Sequence, residues 1–87
     1  MITARLIDSI WATRKADSLQ GLKFMLAEEI GGSSQGRRLI VVDNIGAGIG
    51  DRVIVSMGSA ARRMLRNDDI PVDAAVIGII DEDCNFK

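Results

Sequence analysis

Three glycines at alternate positions, Gly46, Gly48 and Gly50, interrupt two strongly apolar runs in Asp43-Asn44-Ile45-Gly46-Ala47-Gly48-Ile49-Gly50-Asp51. Backbone stripped of Cβ atoms in this way can cradle a phosphate or let another backbone approach closely. A dinucleotide site needs a strand, then G-x-G-x-x-G opening into a helix whose first amides hold the pyrophosphate. Here the glycines are followed by Asp51-Arg52-Val53-Ile54-Val55, which is β-branched and strand-like, so no helix N-terminus stands behind them. The Gly-Lys-Ser/Thr ending of a phosphate loop is missing as well. The segment reads as a tight turn between two strands.

Other chemistry is sparse. The chain has no histidine, which removes Ser-His-Asp and Cys-His catalysis and histidine-based metal sites. Its one cysteine, Cys84, sits beside Glu82 and Asp83, whose charge disfavours the thiolate. Asp81, Glu82 and Asp83 read as a solvated acidic end before a metal site. The sequence therefore predicts no enzyme, no cofactor and no metal. Arg62, Arg63 and Arg66 form the remaining cluster, read either as a solvated helix end or as a protein contact, since arginine is enriched at interfaces. Net charge is −1, so there is no basic field for nucleic acid. No apolar run reaches the length of a membrane span, and the start lacks the order of a signal peptide, so the expectation is a cytosolic chain without membrane or nucleic-acid partners.

The elements that position these residues are mostly strands. Ile2 to Thr13 reads as a long first strand and Gly21 to Ala27 as a second, with Leu22, Phe24 and Leu26 on one face and Met25 and Ala27 on the other. A polar connection, Arg14 to Gln20, joins them, with Lys15 and Lys23 as plain loop charges. Gly31 to Gly36 has the composition of a hairpin tip. Arg37–Asp43, Val53–Val55 and Ala74–Ile80 carry consecutive apolar residues that leave neither face polar, so both faces need cover. A helix is expected over Ser59–Arg66, capped by Ser59 and ended at Asn67, with its arginines toward the C-terminus where the dipole favours cations. Pro71 sets the entry to the last strand, and 81–87 reads as a polar tail.

One domain over residues 1–87 is the expectation, and a chain of 87 residues buries only about 60–65% of its unfolded surface. Yet 47% of the residues are apolar. The surplus points to an interface between subunits, with Ile40, Val42 or Ile54 facing the neighbour. The predicted fold is all-β, a closed or nearly closed five-stranded barrel with one short helix, because closure removes exposed edges.

The four blocks Thr13–Lys23, Asp43–Asp51, Gly58–Arg62 and Pro71–Asp81 together closely resemble the EutN/CcmL family, the pentameric vertex proteins of bacterial microcompartment shells such as carboxysomes and metabolosomes. The resemblance runs over nearly the whole chain, in order; Asp51 stands where many relatives carry Glu. It implies an OB-like barrel, a cyclic homopentamer without catalysis, and a place in a shell in the bacterial cytoplasm. It also implies hexameric and pseudohexameric shell proteins as neighbours. By position it carries Gly46, Ala47, Gly48, Ile49 and Gly50 to the five-fold axis. Read from the residues, a side chain at Gly48 is expected to disturb the ring through positive-φ strain or through crowding at the axis, and Asp43 and Asp51, just outside the glycines, are candidates for acidic rims. Arg62, Arg63 and Arg66, from their clustering, are the shell-contact candidates, at least one of which is expected to touch the adjoining tiles. The alternative from another class is an OB-type nucleic-acid-binding module, which would need stacked aromatics in a basic groove.

Overall fold

A computed structural model describes residues 1–11, 15–66 and 71–85. Five strands, β1 (Ile2–Ile10), β2 (Lys23–Glu29), β3 (Arg38–Asp43), β4 (Arg52–Met57) and β5 (Ala74–Ile79), close into a barrel of order β1-β2-β3-β5-β4. All neighbours are antiparallel except β3 and β5, which run parallel and pair only through Val42↔Ala75 and Asp43↔Val76. One short helix, α1 (Ser59–Met64), lies between β4 and β5.

The barrel interior follows the two-residue period of strands. Ala4 and Leu6, Met25 and Ala27, Val41, Val53 and Val55, and Ala74 and Val76 all point inward. These are alanines, valines and single longer chains with no aromatic among them, which suits the narrow lumen of a five-stranded barrel. Strand β1 carries a register shift between Leu6 and Asp8, at the point where it leaves β4 and continues against β2 alone. An extra residue there bends and twists the strand.

Several sequence expectations are corrected. Of the two faces expected for β2, the one carrying Met25 and Ala27 turns inward, while Phe24 and Leu26 lie on the other side, because the register with β1 and β3 turns the odd positions inward. Strand β2 itself sits two residues later than read, at Lys23–Glu29. Strand β1 stops at Ile10, and Thr13 lies outside the described residues. The connection that follows contains a short 3-10 turn, Asp17–Leu19, that its polar composition concealed.

The second face of β3 is covered partly by its own chain. Val42 is buried under Val72, with Leu19, Leu22, Phe24 and Leu65 packed around it. Val42 is therefore no candidate for a neighbour's surface. Ile54 is half-buried, whereas Ile40 remains 57% exposed.

Helix α1 is shorter than its predicted span and has no side-chain cap. Gly58 occupies the N-cap position and Ser59 lies within the helix, so the expected Ser59 cap does not form. Ala61 is the buried residue of this helix, which packs on β4 and β5. Arg66, at φ 59°, takes the left-handed conformation just past the C-cap residue Leu65 and donates its amide to Arg63 O at 3.0 Å. Arg66 thus does the stopping assigned to Asn67, which lies outside the described residues.

Candidate functional site

The loop from Asp43 to Asp51 is held from four directions, and each hold has a local cause. Ala47 turns into the barrel and is buried with Leu6 and Val53, so the loop plugs one end of the core. For the chain to dip inward and return within a few residues, Gly46 and Gly50 adopt φ of 89° and 92°, where side chains are strained. Gly48 is different. It lies outside that region, and a Cβ placed on it would meet only Asp51 Oδ2 at 3.9 Å. Of the two roles expected for Gly48, positive φ is thereby corrected and passes to its neighbours Gly46 and Gly50.

Hydrogen bonds lock the rest. Gly48 N donates to Asp51 Oδ2 at 2.9 Å, and Asp51 N donates to Gly48 O at 3.1 Å, closing a tight turn. Gly50 N donates to Leu6 O at 2.7 Å, Leu6 N donates to Asp51 O at 3.0 Å, and Arg5 reaches Gly50 O at 3.1 Å. Asp43 does not form an exposed acidic rim. Its carboxylate is fully buried, accepting from Lys23 Nζ at 3.1 Å and from Ile45 N at 3.1 Å. Lys23 also donates to Ala47 O, so this one ammonium ties the start of β2, the end of β3 and the loop together. Sequence reasoning missed Lys23 and Arg5, because neither spacing nor type marks a bond that spans 20 or 45 positions.

The loop therefore presents backbone, the polar Asn44 and two apolar side chains outward. Ile45 and Ile49 are exposed, as are Gly46 and Gly50. Among the described residues no group of three or more His, Cys, Asp or Glu side chains could hold a metal ion.

The arginines of α1 lie on a different surface. Arg62 is half-buried and donates to Val72 O at 3.4 Å, while Arg63 and Arg66 are exposed. The C-terminal segment is not a loose end over its described part. Arg52 Nη2 donates to Asp81 O at 2.8 Å and Cys84 O at 2.7 Å, with Glu82 O at 3.3 Å, and the Cys84 side chain is free and exposed. Phe86 and Lys87 lie outside the described residues.

Comparison with known proteins bears on what this frame does. Residues 1–81 match the family model described as ethanolamine utilisation protein EutN/carboxysome. The carboxysome shell vertex protein CcmL of Thermosynechococcus vestitus is 40% identical over 85 residues, covering 93% of this chain and 84% of that protein. A solved structure of an ethanolamine utilization protein, EutN, superposes with a TM-score of 0.88 at 36% identity, over 98% of this chain and 91% of that one. GrpN, a pentameric microcompartment shell protein from Rhodospirillum rubrum, superposes at 0.81 with 37% identity, over 93% and 95% of the two chains.

Proposed function

The chain belongs to the EutN/CcmL family, and from that premise we infer its function: it is a structural shell protein whose pentamer caps the five-fold vertices of a bacterial microcompartment in the cytoplasm. A layer of six-sided tiles is flat, and five-sided tiles must be inserted to close it into a polyhedron. The observation that carries the reading is the agreement of barrel and sequence over almost the whole chain with proteins named as shell vertex or pentameric shell proteins. The relatives named above are shell components, which fits a chain that builds and does not catalyse. The OB-type nucleic-acid module is not what these relatives support.

Three finer assignments complete the proposal. Residues 1–87 form one vertex unit. The segment Gly46, Ala47, Gly48, Ile49 and Gly50 lies near the five-fold axis, with Ala47 as its anchor in the core and the glycine backbone and Ile49 lining the opening. A cyclic assembly brings one loop from every subunit together, and small residues let those backbones meet. The opening is then narrow and passes only very small species. At least one of Arg62, Arg63 and Arg66 contacts the adjoining hexameric and pseudohexameric tiles, a reading supported by the exposure of Arg63 and Arg66 at the end of a helix.

Native mass spectrometry of the purified chain is the direct test. A pentamer is expected, and a monodisperse monomer at micromolar concentration would overturn the reading. Replacing Arg62, Arg63 and Arg66 together with Ala should leave the pentamer intact and lower its incorporation into shells. Undiminished incorporation would reduce these arginines to solvated charges.

A further inference from the structure

One end of the ladder between β1 and β4 sets two arginines face to face. Arg5 and Arg52 are direct partners in the antiparallel register, and both lie on the outer wall, since Ala4 and Val53 beside them point into the barrel. Like charges in a cross-strand pair repel, so each guanidinium is better placed on oxygens elsewhere. Arg5 donates to Gly50 O at 3.1 Å. Arg52 extends to the segment that follows β5, where Nη2 donates to Asp81 O at 2.8 Å, Glu82 O at 3.3 Å and Cys84 O at 2.7 Å.

Those carbonyls converge because the segment folds back on itself. Cys84 N donates to Asp81 O at 3.0 Å, which closes a turn over Glu82 and Asp83. A cation suits carbonyls gathered in this way, as it does at the last turn of a helix. The backbone of Arg52 fixes the root of the same segment, since its carbonyl accepts from Ile80 N at 2.8 Å. One residue therefore holds the segment at its root through main chain and at its tip through side chain. Residues 81–85 are all exposed, so apolar burial adds little to that hold. Segments fastened by exposed hydrogen bonds open at a small fraction of the free energy of global unfolding. Between this segment and the exit of the glycine loop lies an open polar cleft of about 600 Å³, with Arg5, Gly50 and Asp51 on one side and Glu82, Asp83 and Cys84 on the other.

We propose that residues 81–85 form a strap latched on the Arg52 guanidinium, which closes over the cleft at Gly50 and opens as a unit while the barrel stays intact. Backbone carbonyls carry the latch, so the charges of Asp81, Glu82 and Asp83 are not what fastens it. A latched strap displays those three carboxylates at a fixed place beside the loop exit, and an open one disperses them and bares Arg5 and Gly50. Every contact lies within one chain, so the device goes beyond the vertex reading and does not depend on it.

Amide exchange, followed residue by residue by NMR in the full chain, separates the latch from the barrel. In the unmodified protein the Cys84 amide should be protected relative to an unstructured peptide, though less than the Ile80 and Leu6 amides, which donate to Arg52 O and Asp51 O. Arg52→Met should lower Cys84 protection by roughly tenfold or more, the effect of losing hydrogen bonds from a charged donor, and leave Ile80 and Leu6 unchanged. Cleavage after Glu82 by a glutamate-specific endoproteinase should accelerate in the same variant. Asp81→Asn, Glu82→Gln and Asp83→Asn together should keep Cys84 protected. An unprotected Cys84 amide in the unmodified protein, or no change in Arg52→Met, refutes the latch. Release by the triple variant equal to that of Arg52→Met refutes the carbonyl hold, and a matching loss at Ile80 and Leu6 in Arg52→Met refutes opening as a unit. Should Arg52→Met fail to fold, the ranking of the Cys84, Ile80 and Leu6 amides in the unmodified chain decides.

Discussion

Replacing Lys23 with Met tests whether the ion pair at the base of the loop holds it in place. The Asp43 side chain is fully buried and the Lys23 side chain is 47% exposed, with Nζ at 3.1 Å from the carboxylate. Removing one partner of a buried pair costs about 3–5 kcal/mol, because a desolvated charge is left behind. Here the Ile45 amide still donates to Asp43, and water already screens the half-exposed lysine. The cost is then discounted to about 2 kcal/mol. Adding Asp43→Asn removes the stranded charge and keeps an acceptor for Ile45, so the double variant should recover part of the loss. Its net cost is about 1 kcal/mol, that of a typical lost hydrogen bond. Urea unfolding at one fixed protein concentration, monitored by circular dichroism, measures both, since the stability of an oligomer depends on concentration. Hydrogen exchange should show the Gly48 amide opening faster in the single variant. A Lys23→Met loss below about 0.5 kcal/mol would refute the reasoning, since it would mean that the buried carboxylate needs no counter-charge. A double variant less stable than the single one would refute it equally.

Gly46→Ala and Gly50→Ala should each cost about 1–2 kcal/mol through positive-φ strain, while Gly48→Ala should be nearly neutral in the subunit; thermal melts of the three rank them directly. If Gly48→Ala leaves subunit secondary structure intact but weakens the ring, crowding between copies is the cause. Leu6→Ala, at a fully buried core position, should cost about 2–5 kcal/mol in urea unfolding. Arg66→Gly should instead gain up to about 1 kcal/mol by relieving the left-handed conformation at φ 59°. An unchanged midpoint for Arg66→Gly would show that the arginine side chain compensates for that strain through contacts elsewhere.

Much of the frame was legible in the sequence because it depends on local pattern. Runs of β-branched and apolar residues marked all five strands within a few residues, the glycine-rich segments marked both turns, and a short amphipathic stretch marked α1. The absence of histidine and the near-neutral charge narrow the chemistry at the level of the sequence. Four motif blocks in order pointed to the family, since together they span the barrel's connections as well as its strands.

What the tertiary structure alone decided concerns faces and partners. A two-residue period says that neighbours alternate, but when both faces are apolar, as in β2 and β3, it does not say which one turns inward. Barrel closure sets that register, putting Met25 inside and leaving Phe24 to help cover Val42. The same closure turns Ala47 from a loop residue into part of the core, because the end of the barrel needs a plug and the turns at Gly46 and Gly50 carry Ala47 into it. Lys23 finds Asp43 at a sequence separation of 20, and Arg52 finds the carbonyls of Asp81 and Glu82 at separations of 29 and 30. Contacts of that range are fixed by the path of the whole chain, and no local pattern encodes them.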